Sequence, residues 1–152
     1  MTVFSKNLSI LIRLNRCDGT EALSRVHEDG ETRMRILMMV KAPPSIERVE
    51  VKREDLLPMG KYNDMLRDAG VLVSVDGLRT SDKGVRLNWK NGTPTVTDGP
   101  FTEAKELVAG FWILDVKSMQ EAIDWAKKIP FTNGEGVEIR QIAEASDFND
   151  AN

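Results

Sequence analysis

The sequence has too few cysteine and histidine residues for two common kinds of structural site. Cys17 and His27 are the single members of their types among 152 residues. A disulfide framework needs paired cysteines, and a zinc site needs several ligands drawn largely from Cys and His. We therefore expect no disulfide, no metal and no cofactor. One unpaired cysteine also favours a reducing, cytoplasmic setting.

Long apolar runs, a strong net charge and a phosphate-binding loop are also missing. No run approaches the roughly 20 residues of a membrane helix. The apolar stretch at 8–14 is broken by Arg13 and lacks a small-residue cleavage site. The net charge of −3 offers no broad attraction to nucleic acid, and neither Gly77 nor Gly84 precedes the helix that a phosphate loop requires. We expect no membrane and no nucleic acid among the partners.

The sequence is sufficient for one ordinary domain, preceded by a leader without a regular pattern. With 41% apolar and 30% charged residues, the chain can form one hydrophobic core. Residues 1–33 lack a clear period, so we expect them to be disordered or to precede a true start at Met34. A targeting peptide and a short added helix are the alternatives. The domain is expected at 34–148, followed by a polar tail at 149–152.

The elements after Met34 follow from periodicity and turn signals. The apolar run at 34–40 predicts a first strand. Helical spacing predicts a helix that begins at about 55–57, with Pro58 in its first turn, and that stops at Gly70. Residues 71–75 are rich in β-branched side chains and predict a strand.

The second half of the domain is marked by a hairpin turn and a helix cap. Asn91-Gly92 predicts a tight hairpin between 85–90 and 93–97, because both central positions of a type I′ turn need positive φ. A strand is predicted at 109–116. Ser118 and Glu121 form a capping box that begins a helix, which Pro130 ends. Alternation at 137–142 predicts a last strand.

This order predicts an α+β fold with a ferredoxin-like arrangement and an inserted β-hairpin, in which the strands at 34–40 and 109–116 are central. Both strands are apolar on both faces, whereas two helices can cover only one face of a four-stranded sheet. We therefore expect a homodimer that pairs sheet against sheet. The alternative is that the hairpin or the tail folds across the second face.

The most informative stretch is Asp98-Gly99-Pro100-Phe101, followed by Thr102-Glu103-Ala104-Lys105-Glu106. With Ala109-Gly110-Phe111-Trp112, it resembles the DGPF ("DGPFAETKE") branch of the YCII-related family. The resemblance covers nearly all of 34–148 and extends to Gly60-Lys61-Tyr62-Asn63, Gly70-Val71-Leu72, Ser81-Asp82-Lys83-Gly84, Glu121-Ala122-Ile123-Asp124-Trp125 and Glu138-Ile139-Arg140-Gln141. It implies a dimeric α+β barrel related to the ferredoxin-like fold, and a link to sigma factors of the extracytoplasmic-function class. It implies little chemistry.

Chemistry known among YCII relatives does not carry over to this chain. Some relatives are thought to use a histidine paired with an aspartate, and a few resemble lyases or dehydrochlorinases that act on small aromatic compounds. Between Met34 and Asn152 there is no histidine. The resemblance therefore provides no catalytic pair for this domain.

The candidate site residues are those of the motif and of the first helix, and they have two readings. In the structural reading, Asp98 bonds to turn amides, Gly99 and Pro100 set the backbone, and Phe101 anchors the loop in the core. In the functional reading, Asp98 is a general acid or base with Tyr62 as a candidate acid. Two readings also apply to the remaining candidates. The charged residues either border a pocket or form a solvated surface: Glu103, Lys105 and Glu106. Trp112 either borders a pocket or lies in the core.

We expect a small-ligand-binding or regulatory homodimer. The alternatives are a cofactor-independent lyase or isomerase acting on a small organic molecule, and a structural dimerisation module. A closed cavity that contains both Asp98 and Tyr62 would support binding or catalysis, whereas a solid core would support the structural role.

Overall fold

The computed structural model describes residues 31–48, 52–132 and 134–148. Within them the chain forms these strands and helices: β1 (Met34–Ala42), α1 (Leu57–Asp68), β2 (Leu72–Gly77), β3 (Val85–Lys90), β4 (Thr93–Asp98), β5 (Leu107–Val116), α2 (Met119–Ala126) and β6 (Gly136–Gln141). Their order is the predicted one, which confirms the α+β class. The expectations for residues 1–30 and 149–152 lie outside the described residues. No helix of the described part is long and apolar enough to span a membrane.

The strands form two antiparallel sheets. The larger one has the order β2-β5-β1-β6, so β1 and β5 are central, as their apolar sequences predict. The smaller one is the β3–β4 hairpin. Its turn residues Asn91 and Gly92 have φ values of 51° and 80°, which confirms the turn predicted from the Asn-Gly pair.

Helix α1 begins and ends where its sequence predicts. Pro58 lies in the first turn, where its missing N–H removes no helical hydrogen bond. At the other end Gly70 has a φ of 71° and donates to the carbonyl of Arg67, while the Val71 N–H donates to that of Leu66. This is a Schellman motif, and it turns the chain directly into β2.

Both helices pack against one face of the four-stranded sheet and enclose the core. The sheet contributes Ile36, Met38, Trp112 and Leu114, which are all buried. The helices add Tyr62 and Leu66 from α1 and Ala122 from α2. Burial of this apolar area stabilises the fold by about 25 cal/mol for each Å² removed from water.

The opposite face of the same sheet has an apolar centre. Leu37 lies beside Ile113, and Met39 beside Phe111, across the β1–β5 pairing. These four side chains are half-buried and lie outside the core cluster. Charged and polar residues of the outer strands flank them: Ser74, Asp76, Glu138 and Arg140. We call this surface the open face. The hairpin does not cover it, because all residues of β3 and β4 are themselves exposed.

Candidate functional site

The loop after β4 carries the DGPF sequence and lies against the turn at 81–84. The Gly99 N–H donates to the carbonyl of Gly84 over 2.9 Å, and the peptide bond between Gly99 and Pro100 is cis. A Cβ at position 99 would lie 1.7 Å from the Ser81 carbonyl oxygen. Glycine is therefore required here by the close approach of two backbones, as expected where chains meet without room for a side chain.

Ser81 joins three segments of the chain at this point. Its N–H and its hydroxyl donate to the two carboxylate oxygens of Glu47, each over 2.7 Å. The same hydroxyl oxygen accepts a hydrogen bond from the Phe101 N–H over 3.3 Å. Since both oxygens of Glu47 are engaged, this carboxylate holds the loop after β1 against the turn at 81–84, and Ser81 of that turn also contacts the motif loop.

Two clefts adjoin this junction. The first, of about 440 Å³, is lined by Pro44, Ser45, Glu47, Thr80, Ser81, Asp82, Pro100, Phe101 and Thr102. The second, of about 450 Å³, is lined by Glu47, Leu78, Arg79, Thr80, Ser81, Lys83, Gly84, Arg86, Phe101, Glu106, Leu107 and Val108. We call them the motif cleft and the arginine cleft. They share Glu47, Thr80, Ser81 and Phe101, and are therefore adjacent.

Phe101 is the aromatic wall of both clefts. The sequence reading placed this ring in the main core, but in the structure it is half-buried and lies outside the core cluster. The guanidinium carbon of Arg86 lies 4.0 Å from the centre of the ring. This cation–π contact positions the Arg86 side chain at the arginine cleft.

Asp82 is a charged residue of the motif cleft, and its pKa is shifted from the ordinary value. The Thr80 hydroxyl donates to it, and Lys83 lies 3.0 Å away. These contacts, the Thr80 hydrogen bond first, lower the pKa of Asp82 below its ordinary value. Asp82 therefore remains ionised near neutral pH and is a poor proton donor.

The other predicted charged residues of the motif are dispersed over the surface. Asp98 is exposed at the end of β4, where it pairs with Val85 of the hairpin, and it lines neither cleft. Glu103 and Lys105 are exposed as well. Glu106 does line the arginine cleft, and its carboxylate lies 3.5 Å from the Lys41 ammonium.

Tyr62 and Trp112 lie in the core and not at either cleft. Their rings meet edge to face, with 5.7 Å between centroids. The Tyr62 hydroxyl donates to the Trp125 carbonyl over 3.1 Å, and the Trp112 indole N–H donates to Asn63 over 2.8 Å. Burial raises the pKa of Tyr62 to about 12. Tyr62 and Asp98 are not brought together in either cleft, and no group of three or more His, Cys, Asp or Glu in the described residues is arranged for a metal ion.

Several residues of this junction were missed by sequence reasoning. Glu47 lies in a polar loop without any recognisable pattern, 34 positions before the serine that it binds. Arg79 and Arg86 are ordinary surface arginines in the sequence. The available signal was the Ser81-Asp82-Lys83-Gly84 stretch, which belongs to the resemblance quoted above, yet nothing local to it indicates a contact with residues 99–101.

Comparison with known proteins identifies a family and a relative of this chain. The family described as "YCII-related domain" matches residues 34–146, which include strands β1–β6 and helices α1 and α2. An uncharacterised protein of Rhizobium meliloti is 35% identical over 78 residues, which is 50% of this chain and 63% of that protein. The chain thus spans less than two thirds of the length of this relative.

Proposed function

The chain belongs to the YCII-related domain family, and we propose that it is a homodimeric member of the DGPF branch that binds a small organic ligand beside the motif loop. The observation that carries this proposal is the pair of adjacent clefts, of about 440 and 450 Å³, built around Phe101 and the Glu47–Ser81 junction. Small-molecule sites usually have volumes of about 300–1,000 Å³ and combine apolar walls with a few fixed polar groups. Both clefts fit this description.

The geometry supports binding more than proton transfer. Tyr62, the candidate acid, is buried with its hydroxyl committed to a backbone carbonyl, and its pKa is raised to about 12. Glu47 has both carboxylate oxygens occupied, and Asp82 has a lowered pKa. A general acid or base works best with a pKa near the working pH, and the shifted pKa values of Tyr62 and Asp82 do not meet that condition.

The strand order supports the dimeric part of the proposal. Two βαβ units placed as β6-β1-β5-β2, with the hairpin inserted between them, correspond to the ferredoxin-like topology. In a dimeric α+β barrel the open faces of two such sheets pack together. The apolar centre of Leu37, Met39, Phe111 and Ile113, with its charged flanks, has the composition of an interface core surrounded by a polar rim.

A regulatory setting is part of the same proposal. A cytoplasmic dimer that binds a ligand beside Glu47, Asp82 and Tyr62, whose geometry favours binding over proton transfer, is suited to sensing. This agrees with the link to sigma factors that the resemblance implies.

A thermal-shift screen of small organic molecules of every charge class, on the full chain, tests ligand binding. A ligand that binds only the folded protein raises its thermal midpoint, by an amount that grows with concentration. The screen is repeated on Phe101→Ala, which removes the shared wall, and on Phe148→Ala, which removes an aromatic ring that lines neither cleft. Each shift is measured from the midpoint of the same variant without ligand.

We expect hits whose shift is lost in Phe101→Ala and retained in Phe148→Ala. If no compound of any charge class shifts the midpoint, the ligand-binding proposal is wrong. If hits are equally strong in both variants, binding occurs elsewhere and the clefts are not the site.

A further inference from the structure

The charged side chains that line the arginine cleft are not all neutralised by one another. Both oxygens of Glu47 accept hydrogen bonds from Ser81. Glu106 lies 3.5 Å from the Lys41 ammonium, and Lys83 lies 3.0 Å from Asp82. Glu106 and Lys83 are therefore ion-paired, whereas Glu47 is bonded to neutral donors and keeps its negative charge.

Two guanidinium groups of the cleft have no such partner. Within residues 31–48, 52–132 and 134–148, neither Arg79 nor Arg86 forms an ion pair or a hydrogen bond with a carboxylate. Arg86 is held instead by the face of Phe101, at 4.0 Å from the ring centre. The three cations of the lining, Arg79, Lys83 and Arg86, therefore exceed its two carboxylates, Glu47 and Glu106, by one charge, and neither guanidinium is ion-paired with those carboxylates.

The contact between Arg86 and Phe101 is of a kind that favours anion binding. An arginine stacked on a ring uses the face of its guanidinium, and the N–H groups point outward from the edge in a fork that matches a carboxylate. A side chain held in this way loses less conformational entropy on binding than a mobile lysine does. The Arg86 side chain is therefore partly preorganised for anion binding.

Part of the remaining lining is apolar. Leu107 is buried, Leu78 and Val108 are partly exposed, and Phe101 provides an aromatic surface. A small inorganic anion would leave these surfaces in water. An anion with an apolar body would cover them while its charge meets the arginines.

We propose that the arginine cleft binds a small organic monocarboxylate, with its carboxylate on Arg86 and Arg79 and its apolar part on Leu78, Leu107 and Val108. This inference rests on the proposed ligand-binding function and adds the chemical class of the ligand. The monocarboxylate is favoured because the three cations of the lining, Arg79, Lys83 and Arg86, exceed its two carboxylates by one charge. One negative charge on a partly apolar molecule would balance that excess beside the apolar surfaces.

The test compares charged and neutral probes of the same shape. Benzoate, phenylacetate and hexanoate are titrated into the full-length protein by calorimetry, beside benzamide, phenylacetamide and hexanamide, and beside inorganic phosphate. We expect at least one carboxylate to bind with a Kd of about 1 mM or tighter, since ligands of this size reach that range. The matched amide and phosphate should each bind about 10-fold more weakly or not measurably, because one lacks the charge and the other the apolar body.

Variants of Arg86 test whether the ligand carboxylate binds in the arginine cleft. Arg86→Gln should weaken carboxylate binding about 10-fold, in line with a lost hydrogen bond between charged groups, and Arg86→Lys should fall in between because a point charge replaces the fork. Amide binding should not change. Arg67→Gln is the matched control, because Arg67 is an exposed arginine of α1 that pairs with Asp64 at 2.5 Å.

The outcomes separate this inference from the proposed function. Amides or phosphate that bind as well as the carboxylates, or an unchanged affinity in Arg86→Gln, would overturn the monocarboxylate while leaving ligand binding in place. Failure of all three carboxylates to bind would overturn it too, even if neutral compounds from the wider screen bind in a Phe101-dependent manner. If neither set of compounds binds, the proposed function fails with it.

Discussion

At the scale of single residues, Gly99 shows how a motif residue can be required for the structure without taking part in catalysis. Its position allows the loop after β4 to touch the turn at 81–84, with a hydrogen bond from Gly99 to Gly84. The Cβ of any other side chain would overlap the Ser81 carbonyl group. The obstacle is backbone, so it cannot move aside as the end of a flexible side chain can.

Replacing Gly99 with alanine should therefore lower the free energy of unfolding by about 2–4 kcal/mol, the range of substitutions that force backbone shifts or strain. Gly60→Ala is the matched control, because nothing lies within 4 Å of a Cβ built there in α1. Alanine has the higher helix propensity, so this control should gain about 0.5–1 kcal/mol. Urea unfolding measures both, and similar stabilities for the two variants would show that the two backbones are not in close contact.

Tyr62 is the second residue that links a local environment to a measurable property. Its phenol is buried, and its pKa is raised from 10.0 to about 12. The unfolded chain releases this proton near pH 10, while the folded chain keeps it until about pH 12. Between those values the unfolded state binds fewer protons, so this group makes the protein less stable as the pH rises.

The titration can be observed directly, because Tyr62 is the single tyrosine of the chain. Ultraviolet difference absorbance of the folded protein should show one phenol with a midpoint near pH 12, and near pH 10 in urea. Tyr62→Phe should remove both signals, and should cost about 1 kcal/mol for the hydrogen bond to Trp125. A folded midpoint near 10 would mean that the phenol is accessible to water, which would reopen a catalytic role.

Among the elements, α2 is held at its beginning by the pair of residues that predicted it. The Ser118 hydroxyl oxygen accepts from the Glu121 N–H over 3.1 Å, and the Glu121 carboxylate accepts from the Lys117 N–H over 2.8 Å. The first bond satisfies an N–H group that the first turn of a helix leaves unpaired. The second engages the residue before the N-cap, whereas an ideal capping box would engage the N–H of Ser118 itself. The helix then places Ala122 in the core and Trp125 beside it.

Loss of this cap should be measurable in the whole domain. Ser118→Ala removes the acceptor for the Glu121 N–H and should destabilise the protein by about 1 kcal/mol. Gln120→Ala is the control in the same turn, because Gln120 is exposed and bonds only to the exposed Asp124 over 3.1 Å. It should change stability by less than about 0.5 kcal/mol. Equal losses in both variants would show that the Ser118 cap makes no specific contribution, because alanine does not lower helix propensity.

Elements of this kind were predictable because their signals are local. The Asn91-Gly92 turn, the Ser118 cap and the Gly70 stop each depend on a few neighbouring residues, and the structure confirms all three. Strand β5 was predicted at 109–116 and extends to Leu107, since its first residues pair with β1 beyond a bulge. That extension depends on the partner strand, which periodicity does not reveal.

The candidate site was far less predictable, for the same physical reason. The motif indicated the correct loop, and Pro100, Phe101 and Glu106 do line the clefts. Glu47 and the two arginines arrive from other segments through tertiary contacts, so no local pattern identifies them. Asp98 and Tyr62 were candidates because of their chemistry alone, and chemistry without position could not show that one is exposed at a hairpin and the other buried in the core.

For the whole molecule, the open face is the surface on which we place the proposed dimer interface. The helices cover one side of the sheet, and Leu37, Met39, Phe111 and Ile113 remain half-buried on the other. A stable interface buries about 800 Å² on each partner around an apolar centre. Two copies joined by these faces would place eight such side chains in one layer, and their burial would be the main source of affinity.

If the proposed dimer forms through this layer, introducing one charged side chain there should dissociate the protomers. Ile113→Lys should halve the mass measured by sedimentation equilibrium, because the lysine would be buried without a partner. Since Ile113 is half-buried in the protomer, the fold should be retained, and circular dichroism checks this. The thermal midpoint of the parent should rise with protein concentration, while that of Ile113→Lys should not.

Met65→Lys serves as the control for this experiment. Met65 is 44% exposed on α1, and α1 packs on the other face of the sheet, so the same substitution there should leave the dimer intact. Met39→Lys, on the neighbouring strand, should dissociate the dimer as Ile113→Lys does. A parent that sediments as a monomer would refute the dimer, and a variant that folds and stays dimeric would move the interface away from the open face.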